Sequence, residues 1–408
     1  MARLNKNLQN HTSLAIVYFV LAAGLGCVLR FFRVFEIPVT YKFIVHAHSH
    51  VALLGWVYLA LTTLLYKLYL SKVEVHKKYR NIFWFTQLTI VGMLLTFPFQ
   101  GYAVFSIIFS TLFLFASYWF AWFFFKNVPA EYKQKHSLKC AKVAIVYLLL
   151  SSLGPWALGA IMNTLGATSI WYRLAIYFYL HFIYNGWMIM ALVAVFLYIL
   201  DKQNILLSEK GFKAFFLKLN LGIIFSFFLS TLFTQPAVFY YILGGVGAFS
   251  QLWAFYDLFK FMRIEWTPIK RQFSIFFINT IKTIGVLWGL KMLLQLLSSI
   301  PYFANMATTY LDFTVGYLHL TFLGVVTISL FLFLDYFKLL ILNKKLFLVY
   351  VFGFVFTELL IFFKAIVAWQ SATLFSEYYF ILAVASLLIL VAVLGLLIHN
   401  YRLKATLK

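Results

Sequence analysis

Twelve stretches of about 20 apolar residues recur along this chain, and their length fixes the class of fold before any single residue is considered. Lipid offers a backbone no hydrogen-bond partner, so a segment crosses it only as a helix or as part of a closed barrel. Barrel strands need only about 10 residues, so segments twice that length read as helices. The expected spans are 12–29, 43–66, 82–102, 104–125, 140–161, 174–200, 212–234, 237–259, 273–297, 312–337, 346–368 and 376–399. Spans three and four are joined by a tight turn at Phe97-Pro98-Phe99-Gln100-Gly101, and spans seven and eight by one at Thr234-Gln235-Pro236. A mean hydropathy of +0.93 and a hydrophobic content of 64% leave almost no soluble part. The expected fold class is an all-α polytopic membrane protein. It is one transmembrane domain over residues 1–408, with pseudo-repeats of four helices at approximately 1–126, 127–260 and 261–408.

A net charge of +22 would suggest nucleic acid in a soluble protein. Here the basic residues fall between the spans, so the partner they imply is the lipid bilayer and no nucleic acid. Lys and Arg crowd the loops after spans two, four, six, eight and ten, as at Lys72, Lys77, Lys78 and Arg80, or Lys133, Lys135 and Lys139. The alternate loops carry Arg30, Arg33, Lys42 and Arg173. By the positive-inside rule both termini are expected in the cytoplasm, and the location expected is a bacterial inner (plasma) membrane. The first span reads as an uncleaved helix rather than a signal peptide. Cys27 and Cys140 are too far apart in this topology to suggest a disulfide, and no Cys-x-x-Cys-His run offers covalent haem attachment.

Within this frame three histidines recur in one local pattern. His50-Val-Ala-Leu-Leu-Gly55-Trp56, His181-Phe-Ile-Tyr-Asn-Gly186-Trp187 and His319-Leu-Thr-Phe-Leu-Gly324-Val325 each place a glycine five residues after a histidine. The intervals, from 50 to 181 and from 181 to 319, are 131 and 138 residues. Each histidine falls about seven residues into its expected span, on spans two, six and ten, so all three share one depth near the outer side. Such repetition indicates one structural unit used three times. Imidazole is a common ligand of iron, copper and zinc, and two histidines on facing helices can fill both axial positions of a haem iron. The glycine provides a small surface where a flat ring or another helix can approach. The competing reading is three satisfied core histidines near an interface.

The first repeat is richer, with His46-Ala-His48-Ser-His50. If this stretch is helical, His46 and His50 share a face while His48 points away; if it is extended, all three project together. Either form is a metal signal.

Twelve helices in three groups of four, with histidines on the second helix of each group, resemble the haem–copper oxidase subunit I superfamily. Within it, His48-Ser-His50-x-x-x-x-Gly55 is similar to the signature of the NnrS family of haem- and copper-containing membrane proteins, and His319-x-x-x-x-Gly324 to that family's later motif. The resemblance implies haem b held by His50 and His319, with Gly55 and Gly324 beside it, and copper at His181. From the first repeat itself, His46 and His48, with or without His181, are expected to form a copper or second haem site facing the outer side. The resemblance also implies a role in respiratory electron transfer or the handling of NO or O2, with respiratory subunits or an electron donor as partners, and an oxidoreductase of the oxidase or NO reductase type if the chain is an enzyme. Span seven, residues 212–234, has no histidine, cysteine or carboxylate. Haem binding with little oxygen turnover by the isolated chain is therefore expected.

Charged residues complete the reading. Arg30, Arg33 and Arg173 at the outer ends of spans can clamp haem propionates or anchor the interface. Glu358 is the one carboxylate deep in a span, and either Lys291 or Lys364 could partner it, or it could belong to a proton route. Lys282 has no evident role. Two further readings stay open: a non-redox transporter or copper-handling protein using the histidine cluster, and a cofactor-free accessory subunit.

Overall fold

The structure, a computed structural model, describes residues 2–406. Its described residues contain helices and turns and no strand, and twelve helices are long and apolar enough to cross a membrane. The chain is an all-α polytopic membrane protein. We number the spans α1 (Leu4–Phe31), α2 (Tyr41–Tyr69), α3 (His76–Gln100), α4 (Val104–Asn127), α5 (His136–Thr164), α6 (Ile170–Lys202), α7 (Glu209–Thr234), α8 (Val238–Ile264), α9 (Ile275–Leu297), α10 (Leu311–Tyr336), α11 (Lys344–Trp369) and α12 (Tyr378–Lys404).

All twelve expected spans are present, and most helices run beyond the apolar core that marks them. α2, α6 and α10 begin two, four and one residues earlier than expected, at Tyr41, Ile170 and Leu311. For α6 the extra turn is started by Ser169, whose hydroxyl accepts the Trp171 backbone N–H at 3.3 Å. The frame histidines therefore lie 9, 11 and 8 residues into their helices (50 − 41, 181 − 170, 319 − 311). The turn at Thr234-Gln235-Pro236 is where the sequence places it. The first turn comes later than expected: residues through Gln100 stay helical with Pro98 inside the helix, and the chain bends at residues 101–103. Gly101 ends α3 with φ 59, and Gln235 follows α7 with φ 50, each in the left-handed region.

The chain divides into two compact units, Met1–Ala130 with Leu330–Lys408, and Glu131–Ser329. In the first unit α1 packs against α2 and α12, α11 against α12, and α3 against α4 and α2. Its centre is aromatic. Phe19 of α1 stacks on Trp56 of α2 at 5.1 Å, and Phe331 lies 5.6 Å from Trp56 and 5.2 Å from Tyr350 of α11. Lys404 ties the end of α12 to the start of α1, donating to Gln9 O at 3.0 Å, Asn10 Oδ1 at 3.1 Å and Ser13 Oγ at 2.8 Å.

In the second unit α5 packs on α6, α7 on α8, α8 on α9 and α9 on α10. Gln251 of α8 donates to Gly222 O at 3.1 Å and to Ser226 Oγ at 2.7 Å, which pins α7 to α8. The Lys218–Asp257 pair at 2.6 Å holds the same two helices a turn away.

α2, α6 and α10 stand apart from the rest. Of their most apolar windows 89%, 94% and 72% is buried in protein, against 50% at most elsewhere, so these three are the enclosed helices. Each widens into π-helix immediately after its frame histidine, at Val51–Tyr58, Phe182–Met188 and Leu320–Thr327. A π turn closes from residue i to i+5, the spacing that separates each histidine from its glycine. The glycines let a neighbouring helix come close. A Cβ on Gly55 would stand 2.7 Å from Cβ of Tyr18 in α1, and one on Gly186 would stand 2.7 Å from Cβ of Tyr147 in α5. Replacing either glycine by alanine forces the helices apart, a penalty of about 1–3 kcal/mol. Gly55→Ala and Gly186→Ala should therefore lower the thermal midpoint of the purified protein. Gly159→Ala, whose Cβ would meet nothing within 4 Å, should not.

Candidate functional site

Residues 41–50 of α2 are helical, and that separates the first three histidines. His46 and His50 lie on one face, over the end of α3 and the turn that follows it. The His50 ring stacks on Phe97 with centroids 4.3 Å apart, and His46 meets Tyr102 edge-on at 4.6 Å. His50 Nδ1 hydrogen-bonds the His46 carbonyl at 2.8 Å, and its Nε2 lies 3.4 Å from the Tyr102 hydroxyl. His48 leaves the opposite face toward α1, where Nδ1 meets the Ala22 carbonyl at 2.8 Å and the ring lies over Gly26. It fastens α2 to α1. A copper centre that uses His46 and His48 together is not assembled, because a helix turns alternate residues apart.

His319 repeats the geometry of His50. Its Nδ1 hydrogen-bonds the carbonyl four residues back, that of Val315, at 2.9 Å. In both cases an Nδ1–H donor fixes the tautomer in which Nε2 carries the lone pair, the arrangement of a metal-ligating imidazole.

His181 differs. Its residue surface is 1% exposed, Nε2 donates to the Ile223 carbonyl at 2.8 Å, and Nδ1 accepts from the Asn185 side-chain amide at 3.3 Å. Both ring nitrogens are taken, so the histidine expected to bind copper is here a satisfied core residue. It is one end of a polar chain that runs through α6, α7, α9 and α10. The carbonyl of Asn185 accepts from the Lys291 amine, which also donates to Gln295 Oε1 at 2.8 Å. The Tyr317 hydroxyl donates to the same Gln295 oxygen at 3.5 Å, and its ring lies 5.8 Å from the amine. Lys291 is 0% exposed, and every donor from it to Ile223 points the same way.

The sequence singled out Lys291 but not Asn185 or Gln295. A signal was there, since Lys291 and Gln295, like His181 and Asn185, sit four apart within apolar spans and so share a face.

The chain's other charges fall elsewhere than expected. Neither Lys291 nor Lys364 partners Glu358. Lys291 is committed to Asn185 and Gln295, and Lys364 lies over the Tyr379 ring at 5.6 Å. The charge that acts on Glu358 is that of Arg30, which also acts on Cys27 and His48. Arg33 is exposed past the end of α1, and exposed Arg173 sits 5.0 Å above the Phe233 ring. Lys282 covers the Trp266 ring at 4.9 Å. Cys27 and Cys140 are buried free thiols. Among the described residues no three of His, Cys, Asp or Glu gather as a metal-binding group.

Compared with known proteins, the chain matches no family model and no curated sequence.

The buried chain carries a definite cost of disruption. Lys291→Met leaves the carbonyl oxygens of Asn185 and Gln295 without this donor, at about 1–3 kcal/mol for each buried acceptor left unsatisfied. The variant should unfold at a clearly lower temperature than wild type, whereas Lys210→Met, at an exposed position, should not.

Proposed function

We propose that this chain is a haem-binding protein of the membrane in which His50 and His319 are each a ligand of haem iron. The observation that carries this reading is the matched hydrogen bond of the two imidazoles. Each directs Nδ1 to the carbonyl of the preceding turn, at 2.8 and 2.9 Å, and each stands at the first residue before a π segment. That bond orients the ring and raises the basicity of Nε2 toward a metal. π segments cluster at functional sites.

The donor set suits a b-type haem better than a copper centre. His46 and His48 diverge, and His181 spends both nitrogens on protein groups. Phe97 against His50 provides an apolar wall. The Tyr102 hydroxyl, 3.4 Å from Nε2 of the same ring, is the group that iron would displace there. Arg33 and Arg173 are the exposed guanidinium groups that can take propionates. Bound haem supplies one-electron chemistry and a site for small gases such as NO. Basic loops after the even-numbered helices support a reading with both termini on the cytoplasmic side of a bacterial plasma membrane, and respiratory electron transfer or NO handling as its setting.

The protein purified from cells supplied with haem precursor should show a reduced-minus-oxidised haem spectrum. His50→Ala and His319→Ala should each abolish it or convert it to another spin state. His48→Ala, which removes a helix-to-helix contact, should leave the band positions unchanged. A colourless protein, or unaltered spectra in both the His50 and His319 variants, refutes the assignment.

A further inference from the structure

Glu358 occupies the buried face of α11, in line with Tyr350, Phe354, Thr357, Ile361 and Ala365. That stretch is apolar apart from Thr357, whose hydroxyl is spent on the carbonyls of Gly353 and Phe354 at 2.9 Å each. Both carboxyl oxygens of Glu358 are shielded from solvent and neither has a hydrogen-bond partner. The residue is 7% exposed. An ionised carboxylate so placed would carry its whole desolvation cost uncompensated, whereas a neutral acid costs far less.

The surroundings narrow the ligand. α12, which packs along α11, has no ionisable side chain between Tyr379 and His399. On α11 itself Lys364 turns to the Tyr379 ring, 5.6 Å away. α1 meets α11 at Phe19 and Tyr350, 6.1 Å apart, and carries Cys27 and Arg30, with Arg30 also acting on His48 of α2. Of these, Arg30 is the charge that acts on Glu358. A metal cation needs several oxygen ligands and is repelled by a guanidinium. A proton needs one oxygen, and the anion that its departure leaves behind is the form a guanidinium favours.

We propose that Glu358 is a proton-binding site inside the hydrophobic layer: a carboxylic acid that releases its proton to water and takes it back. The Arg30 guanidinium then favours the carboxylate. The step breaks the carboxyl O–H bond and forms one on the water that accepts the proton, and the return reverses it. A carboxyl kept only for packing would be interchangeable with glutamine and closed to exchange. This site is independent of haem, and its test does not depend on the haem reading.

Infrared spectroscopy of the membrane-reconstituted protein tests it. At neutral pH the wild type should show a carboxylic-acid C=O band that shifts in D2O, fades as the pH is raised, and is missing in Glu358→Gln. In Arg30→Gln the band should persist to higher pH, by about one unit or more. The D2O measurement needs only wild-type protein, so it decides even if a variant fails to fold. No acid band at neutral pH, or a band that D2O leaves in place, overturns the proposal. An unchanged pH profile in Arg30→Gln overturns the part assigned to Arg30.

Discussion

The hydrogen bonds of the backbone govern everything else in this molecule. In hydrocarbon an unpaired N–H or C=O costs several kcal/mol, so each span must satisfy itself along its own axis. α-Helix does this without outside help. π-Helix shifts the ladder by one residue and pairs less well, and among the described residues it is found only within the three helices that protein encloses. Irregular backbone at membrane depth thus sits where neighbouring side chains, rather than lipid, surround it. The same enclosure lets imidazoles stand within a helix at all. His50 and His319 each use the carbonyl of the preceding turn, and His181 reaches across to α7 for its acceptor.

The two units handle buried polarity in opposite ways. In the second, a lysine is surrounded by neutral acceptors, and the chain through Asn185 and His181 disperses its charge over several dipoles. In the first, a carboxyl stands alone among apolar side chains with a single guanidinium acting on it. A saturated network resists change, because altering one member strands the others. An isolated acid is free to change its protonation state, because no partner is lost when it does.

The fold was legible in the sequence because hydropathy reads the hydrocarbon layer directly, so every span could be placed from it. The histidine frames were legible too, and their spacing of five coincides with the π turn that follows each histidine. What remained hidden depended on rotation about the helix axis and on partners distant in sequence. Nothing local says that His48 would meet Ala22, that His181 would be consumed by Ile223 and Asn185, or that Glu358 would feel Arg30 rather than a lysine. One further signal was open to inspection. Ala15-Ile16-Val17-Tyr18 recurs as Ala144-Ile145-Val146-Tyr147, and these are the tyrosines that press on Gly55 and Gly186. One contact, of α1 with α2 and of α5 with α6, is therefore written twice in the chain, 129 residues apart (147 − 18).

The pairing of α1 with α12 bears on how the protein is made. The second unit is one unbroken run of chain, so all its helices are available once synthesis has passed Ser329. The first unit is discontinuous, and α1 meets Lys404 only when α12 has been made. α1 thus gains α2 early but waits for α12 through the synthesis of every helix between them.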